Sequence, residues 1–105
     1  MTIPEITVDE LADLLVSGVR LIDVREPNEY DEARVPGGQL IPLATIPDNL
    51  DAFRGDGPTY VVCRSGGRSR MACEYLAAQG AEAINVAGGV LAWIASGHEI
   101  ATGAA

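Results

Sequence analysis

The chain has 105 residues, 48% of them apolar, with fifteen acidic against seven basic side chains and a formal net charge of −8. This is enough for one domain around one core, and too apolar for a disordered chain. All seven bases are arginine, which excludes a lysine Schiff base, and the acidic balance argues against nucleic acid or an anionic membrane as partner. No stretch approaches the roughly 20 apolar residues that span a bilayer. The opening Met1-Thr2-Ile3-Pro4-Glu5 has no basic region and no long apolar run, so a cytoplasmic setting is expected.

Along the chain, short apolar strands alternate with short helical segments. Thr7-Val8-Asp9-Glu10 reads as a capping box, followed by Leu11, Leu14 and Leu15 at helical spacing and a stop at Ser17-Gly18. Arg20 to Val24 reads as a buried strand with Asp23 near its carboxyl end, and Pro27 to Asp31 as a short helical turn. Gln39 to Leu43 reads as a second strand and Ile46 to Phe53 as a short helix, followed by a turn at Gly55-Asp56-Gly57-Pro58. Thr59 to Cys63 is the clearest strand, being β-branched, aromatic and uncharged. Ser69 to Gln79 is the clearest helix, stopped by Gly80. Ala83 to Val86 reads as a strand, Gly88-Gly89 as a turn, Val90 to Ser96 as a last helix, and the residues from Gly97 onward as a fraying tail that includes an exposed His98. The alternation predicts an α/β fold: a parallel sheet with helices on both faces and its ligand site at the carboxyl ends of the strands. No repeat, low-complexity tract or linker divides the chain, so one domain over 1–105 is expected, with a core from about residue 5 to 100 and a tail at 98–105.

Two cysteines, Cys63 and Cys73, are too few for a disulfide scaffold. Without CxxC, HExxH or a His/Cys cluster, no metal and no cofactor is expected. Ala72, Cys73, Leu76 and Ala77 form one stripe at helical spacing, which reads Cys73 as a buried small residue; the alternative is a Cys63–Cys73 disulfide formed under oxidation. Trp93 reads as core.

The chemistry is expected in Cys63-Arg64-Ser65-Gly66-Gly67-Arg68-Ser69, which joins the best strand to the best helix. Adjacent glycines at 66 and 67 can take positive φ and turn successive N–H groups inward. Ser69 is a candidate N-cap, so the helix directs its positive end to the same point, and Arg64 and Arg68 add fixed charge. Each of these features stabilises an anion at Cys63, so a lowered thiol pKa and a nucleophilic thiolate are expected, in a nest that would also hold an anionic substrate atom.

The same loop resembles the Cys-x-x-Gly-x-Arg-Ser active-site loop of the rhodanese family. Asp23-Val24-Arg25-Glu26, Glu29-Tyr30, Val35-Pro36-Gly37 with Ile41-Pro42, and Gly88-Gly89 with Trp93 and Gly97 resemble further motifs of that family in the same order. Departures are Ala33-Arg34 in place of Gly-His before the Ile-Pro-Gly segment, and Gly38-Gln39-Leu40 in place of Ala-x-Asn. The resemblance implies a rhodanese-like α/β fold, a central parallel sheet of about five strands flanked by helices on both faces.

It also implies a sulfurtransferase that moves sulfur from thiosulfate or a similar small anionic donor, through a Cys63 persulfide, to cyanide, a thiol or a protein acceptor. Cys63 is then the catalytic residue and Arg64 to Ser69 the loop that holds the persulfide. Arg64 is the candidate for steering an anionic donor. Arg68 either shares that task or pairs with an acid such as Asp23 or Glu29. Asp23 is expected to orient the loop or an arginine, and Arg25 to pair with acids near Glu26 or Glu29. Four residues separate Cys63 from Arg68, the spacing of the family's sulfurtransferases and one fewer than in the phosphatases that share the fold. The competing readings are a persulfide-carrying module that relays sulfur between proteins, an oxyanion reductase or phosphatase, which the spacing disfavours, and a non-catalytic interaction domain, which Cys63 disfavours.

Overall fold

A computed structural model describes residues 2–104. Among these, five parallel strands stand in the order β1-β5-β4-β2-β3: β1 (Glu5–Ile6), β2 (Arg20–Asp23), β3 (Gln39–Leu40), β4 (Thr59–Val62) and β5 (Ala83–Val86). Three helices connect strands, α1 (Val8–Val16), α2 (Pro27–Glu32) and α3 (Gly67–Ala78), and a fourth, α4 (Gly89–Ala95), follows β5. No described helix is long and apolar enough to cross a membrane.

The pleat of the central strands sorts side chains to two cores. Tyr60 and Val62 of β4 join Leu21 and Val86 under α1 and α4, where Leu11 and Trp93 are buried. Val61 and Cys63 join Ile22 and Val24 on the opposite face, under Ala72, Cys73 and Leu76 of α3. The expected two-faced α/β sheet is therefore present, and Cys63 leaves β4 on the α3 side. The capping box of α1 forms as read: the Glu10 amide donates to the Thr7 hydroxyl at 3.1 Å, and the Thr7 amide to the Glu10 carboxylate at 3.0 Å.

Several expectations are corrected. β1, which the sequence does not place, has only two residues, too short to carry a period of its own, and exists because it pairs with β5. β3 ends at Leu40, although the Ile41 and Leu43 amides still donate to the Asp23 and Val24 carbonyls at 2.9 and 3.0 Å. The helix expected over 46–53 is two 3-10 turns, Leu43–Asp48 and Leu50–Phe53, with Pro47 inside the first and Asn49 between them. α3 begins at Gly67 rather than at Ser69, and Ala77 lies exposed outside the buried stripe.

The tail is anchored rather than frayed. His98 stacks on Trp93 with ring centroids 4.5 Å apart and lies 2.7 Å from an Asp9 carboxylate oxygen. Trp93 Nε1 donates to the Glu99 carbonyl, and Arg34 and Ala101 exchange backbone hydrogen bonds.

Both cysteines are free and buried. Cys73 is 0% exposed, and burial pushes its thiol up to about 12. At neutral pH, iodoacetamide is expected to leave Cys73 unlabelled in the folded protein and to label it after guanidinium unfolding. Peptide mass mapping reads both states, and labelling at Cys73 in the folded protein would contradict this placement.

Candidate active site

Cys63 is the first residue after β4, and three residues separate it from the start of α3 at Gly67. The turn between them depends on Gly66, whose φ of +109° is strained for any residue with a Cβ. In this conformation the Gly66 N–H donates to Cys63 Sγ at 3.1 Å, and the Ser69 hydroxyl lies 3.3 Å from the same sulfur. Burial opposes ionisation of Cys63. Hydrogen bonding from the Ser69 hydroxyl and from the amides of Ser69, Gly66 and Ser65 outweighs it and holds the thiol below its ordinary range. The twelve-residue α3 adds its positive end.

Two details differ from the sequence expectation. The N-cap of α3 is Gly66, and Ser69 stands one turn in with its hydroxyl turned to the sulfur. Gly67 has no positive φ, and a Cβ there would meet nothing within 4 Å, so only one glycine of the pair is needed by the turn.

The loop is held from behind by α4. The Val90 N–H donates to the Cys63 carbonyl at 2.9 Å and the Leu91 N–H to the Arg64 carbonyl at 3.0 Å. Gly89, with φ +59°, makes this approach possible: a Cβ there would overlap the Cys63 carbonyl oxygen and stand 2.6 Å from that of Arg64. Gly88-Gly89, read from the sequence as a turn, is thus also a contact surface for the loop.

The arginines divide by role. Arg68 makes a bidentate pair with Glu29 at 2.7 and 2.8 Å. Of the two tasks open to Arg68, the geometry shows the acid pairing. That pair ties α3 to α2, Glu29 also accepts from the Glu26 amide at 3.0 Å at the start of α2, and Arg68's hydrogen bonds chiefly hold its carboxyl down at about 2. Arg25 does not pair with the acids at 26 or 29. Its guanidinium and its own amide bind Asp23 at 2.9 to 3.1 Å, and it donates to the Ala33 carbonyl at 2.8 Å. This pair is buried, with Asp23 1% and Arg25 4% exposed, so the Asp23 carboxylate holds the Arg25 guanidinium in place. Arg64 is exposed, and among the described residues its guanidinium has no hydrogen bond or ion pair. It lines a cleft of about 150 Å³ together with Arg25, Glu29, Leu91 and Ile94.

Asn85 and Glu5 escaped the sequence reading. Asn85, 1% exposed, accepts from the Ser69 hydroxyl and donates to a Glu5 carboxylate oxygen at 2.7 Å. Its only signal was an amide in an otherwise apolar strand. No group of three or more His, Cys, Asp or Glu side chains able to hold a metal occurs among the described residues.

A thiol aimed by loop amides at the carboxyl end of a parallel sheet defines a class of cysteine-centred α/β site. The family model for the rhodanese-like domain matches residues 7–96, and this chain belongs to that family. A sulfurtransferase of Allochromatium vinosum is 36% identical over 83 residues, which cover 78% of each chain. YrkF of Bacillus subtilis, whose name assigns it sulfur carriage, is 34% identical over 95 residues, covering 88% of this chain and 51% of that one. The solved structure of a rhodanese-like domain protein from Staphylococcus aureus is 41% identical, with a TM-score of 0.85, covering 95% of this chain and 98% of that one.

Two predictions follow from the loop and its supports. Gly66→Ala is expected to cost about 1–3 kcal/mol in denaturant unfolding. Gly67→Ala is expected to stay within about 0.5 kcal/mol of the parent, and equal losses would contradict the turn. For Glu29, whose carboxyl falls from its ordinary 4.5 to about 2 on folding, stabilisation is complete above 4.5 and lost as pH falls through about 2. The stability gap between parent and Glu29→Gln should therefore narrow across that window, as read by urea unfolding at a series of pH values.

Proposed function

We propose that this protein is a sulfurtransferase that takes sulfane sulfur from thiosulfate or a similar small anionic donor and passes it, through a persulfide on Cys63, to cyanide or a thiol. The observation that carries this reading is the convergence of the Gly66 amide and the Ser69 hydroxyl on Sγ. Family membership and the sulfurtransferase relative support it.

In the first step the Cys63 thiolate attacks the donor's outer sulfur. A new S–S bond forms, the donor's S–S bond breaks, and sulfite leaves with the bonding electrons. The product is a Cys63 persulfide, whose outer sulfur is anionic. In the second step the acceptor attacks that outer sulfur, and the electron pair returns to Sγ as thiolate. No outside oxidant or reductant is needed, and the scheme is ping-pong.

Loop amides from Arg64 to Ser69 suit the anionic outer sulfur, because successive N–H groups form an anion nest. Arg64 is assigned to attract the donor, since its charge is exposed at the cleft while Arg25 and Arg68 are committed to Asp23 and Glu29. Free thiols at 63 and 73 suit a reducing, cytoplasmic setting.

A persulfide carrier that relays sulfur between proteins is the second reading. It is favoured by the resemblance to YrkF and by Leu91 and Ile94, each 44% exposed on the cleft rim, where a protein acceptor would find apolar surface.

Intact-protein mass after thiosulfate, and again after cyanide, tests the proposal. The parent is expected to gain one sulfur atom and lose it to cyanide, while Cys63→Ser stays unchanged and folded. A gain in Cys63→Ser would overturn the assignment of Cys63. No gain in the parent would remove thiosulfate as donor and turn attention to a persulfide-loaded protein.

A further inference from the structure

The Ser69 hydroxyl has one proton and three acceptors around it: Cys63 Sγ at 3.3 Å, the Gly66 carbonyl at 3.3 Å, and Asn85 Oδ1, which is the nearest. Ser69 and Asn85 are 0% and 1% exposed, so water cannot supply a substitute donor freely. The orientation of the Asn85 amide is set from its other end. Nδ2 donates to the Glu5 carboxylate at 2.7 Å and to the Gly66 carbonyl at 3.3 Å. The reverse orientation would put Oδ1 against that carboxylate, acceptor against acceptor. Oδ1 therefore faces Ser69.

From this geometry we propose that Asn85 is a positioning residue that competes with Cys63 for the single Ser69 proton and so sets how readily the sulfur becomes a thiolate. With Cys63 as a thiol, S–H donates to Ser69 Oγ and Ser69 O–H donates to Asn85 Oδ1, and every group is paired. When Cys63 loses its proton to solvent, Ser69 must rotate its hydrogen to the sulfur anion. Asn85 Oδ1 is then left buried without a donor, which carries a free-energy cost. In a persulfide the charge moves to the outer sulfur, Sγ becomes neutral, and the hydroxyl can return to Asn85. Asn85 thus disfavours the free thiolate relative to both the thiol and the loaded protein.

This inference rests on Cys63 being the reacting atom, as proposed above. Other titratable or charged groups bear on the same sulfur. Arg68 and Cys73 on α3 act on it through space by their charge, Asp23 on β2 and Glu29 on α2 act on Arg68, and Glu5 on β1 and Glu74 on α3 act on Cys73. Arg64 adds an exposed charge within the loop. A double-mutant cycle through Ser69 removes these contributions, because they persist when the hydroxyl is gone.

The test is a pH titration of the ultraviolet thiolate absorbance in a Cys73→Ala background, which uses no sulfur donor. Asn85→Leu, similar in size and unable to accept, is expected to shift the thiol–thiolate equilibrium roughly tenfold toward thiolate. In a Ser69→Ala background the same substitution is expected to change nothing. Should Asn85→Leu fail to fold by circular dichroism, Glu5→Ala serves instead: it frees the Asn85 amide to turn over, and part of its shift must vanish with Ser69→Ala. No shift, a shift away from thiolate, or an equal shift in both backgrounds would overturn the role of Asn85. Failure of the parent to load sulfur from thiosulfate would overturn the donor assignment while leaving this titration intact.

Discussion

Two hydrogen bonds from the first turn of α4, onto the carbonyls of Cys63 and Arg64, set the shape of the Cys63 loop. A trans peptide points its C=O and its N–H in opposite directions. Once the carbonyls of residues 63 and 64 are drawn outward to α4, the N–H groups of Arg64 and Ser65 are turned toward the inside of the loop. The positive φ of Gly66 then adds its amide to the same interior. Sγ therefore meets donors because α4 takes the acceptors. The positions of Gly89 and Cys63, far apart in sequence, are two halves of one constraint, since only a residue without a Cβ lets α4 approach this closely.

The charges around the loop are arranged so that little of the local positive field is free. Arg68 is matched by Glu29, and Arg25 by Asp23 in a buried pair that also holds the carbonyl of Ala33. Breaking a buried pair by removing one partner typically costs about 3–5 kcal/mol, so the Asp23–Arg25 unit serves as a rigid wall rather than as an adjustable group. Arg64 is left as the exposed charge of the loop. On a chain with net charge −8, one exposed guanidinium beside a cleft is a local exception to a field that otherwise repels anions. The thiol itself relies on short-range hydrogen bonds more than on these distant charges.

How much of this was legible in the chain can be judged from particular residues. The alternation of strands and helices, the capping box at Thr7 and the Cys63 loop could all be read directly, because each depends on residues within a few positions of one another. β1 could not, since two residues carry no period and the strand is defined by β5. The 3-10 turns over 43–53 were read as one helix because apolar spacing alone does not register the interruptions at Pro47 and Asn49. The tail was read as loose because its composition is small and polar, yet Trp93 packs against it, and Asp9, Asp31 and Arg34 hold it from positions remote in sequence.

By itself the sequence determined the class of the fold, singled out the Cys63 loop and indicated the direction in which that loop shifts the thiol. These follow from local pattern and from the chemistry of adjacent glycines, amides and a helix start. Only the tertiary structure decided which acid each arginine answers, that Gly66 rather than Gly67 makes the turn, and that Asn85 and Glu5 stand behind Ser69. These are distinctions between residues of the same type at different places in the fold. Hydrogen bonds and ion pairs act over a few ångströms, and a chain read in one dimension holds no record of which remote groups folding will bring within that distance.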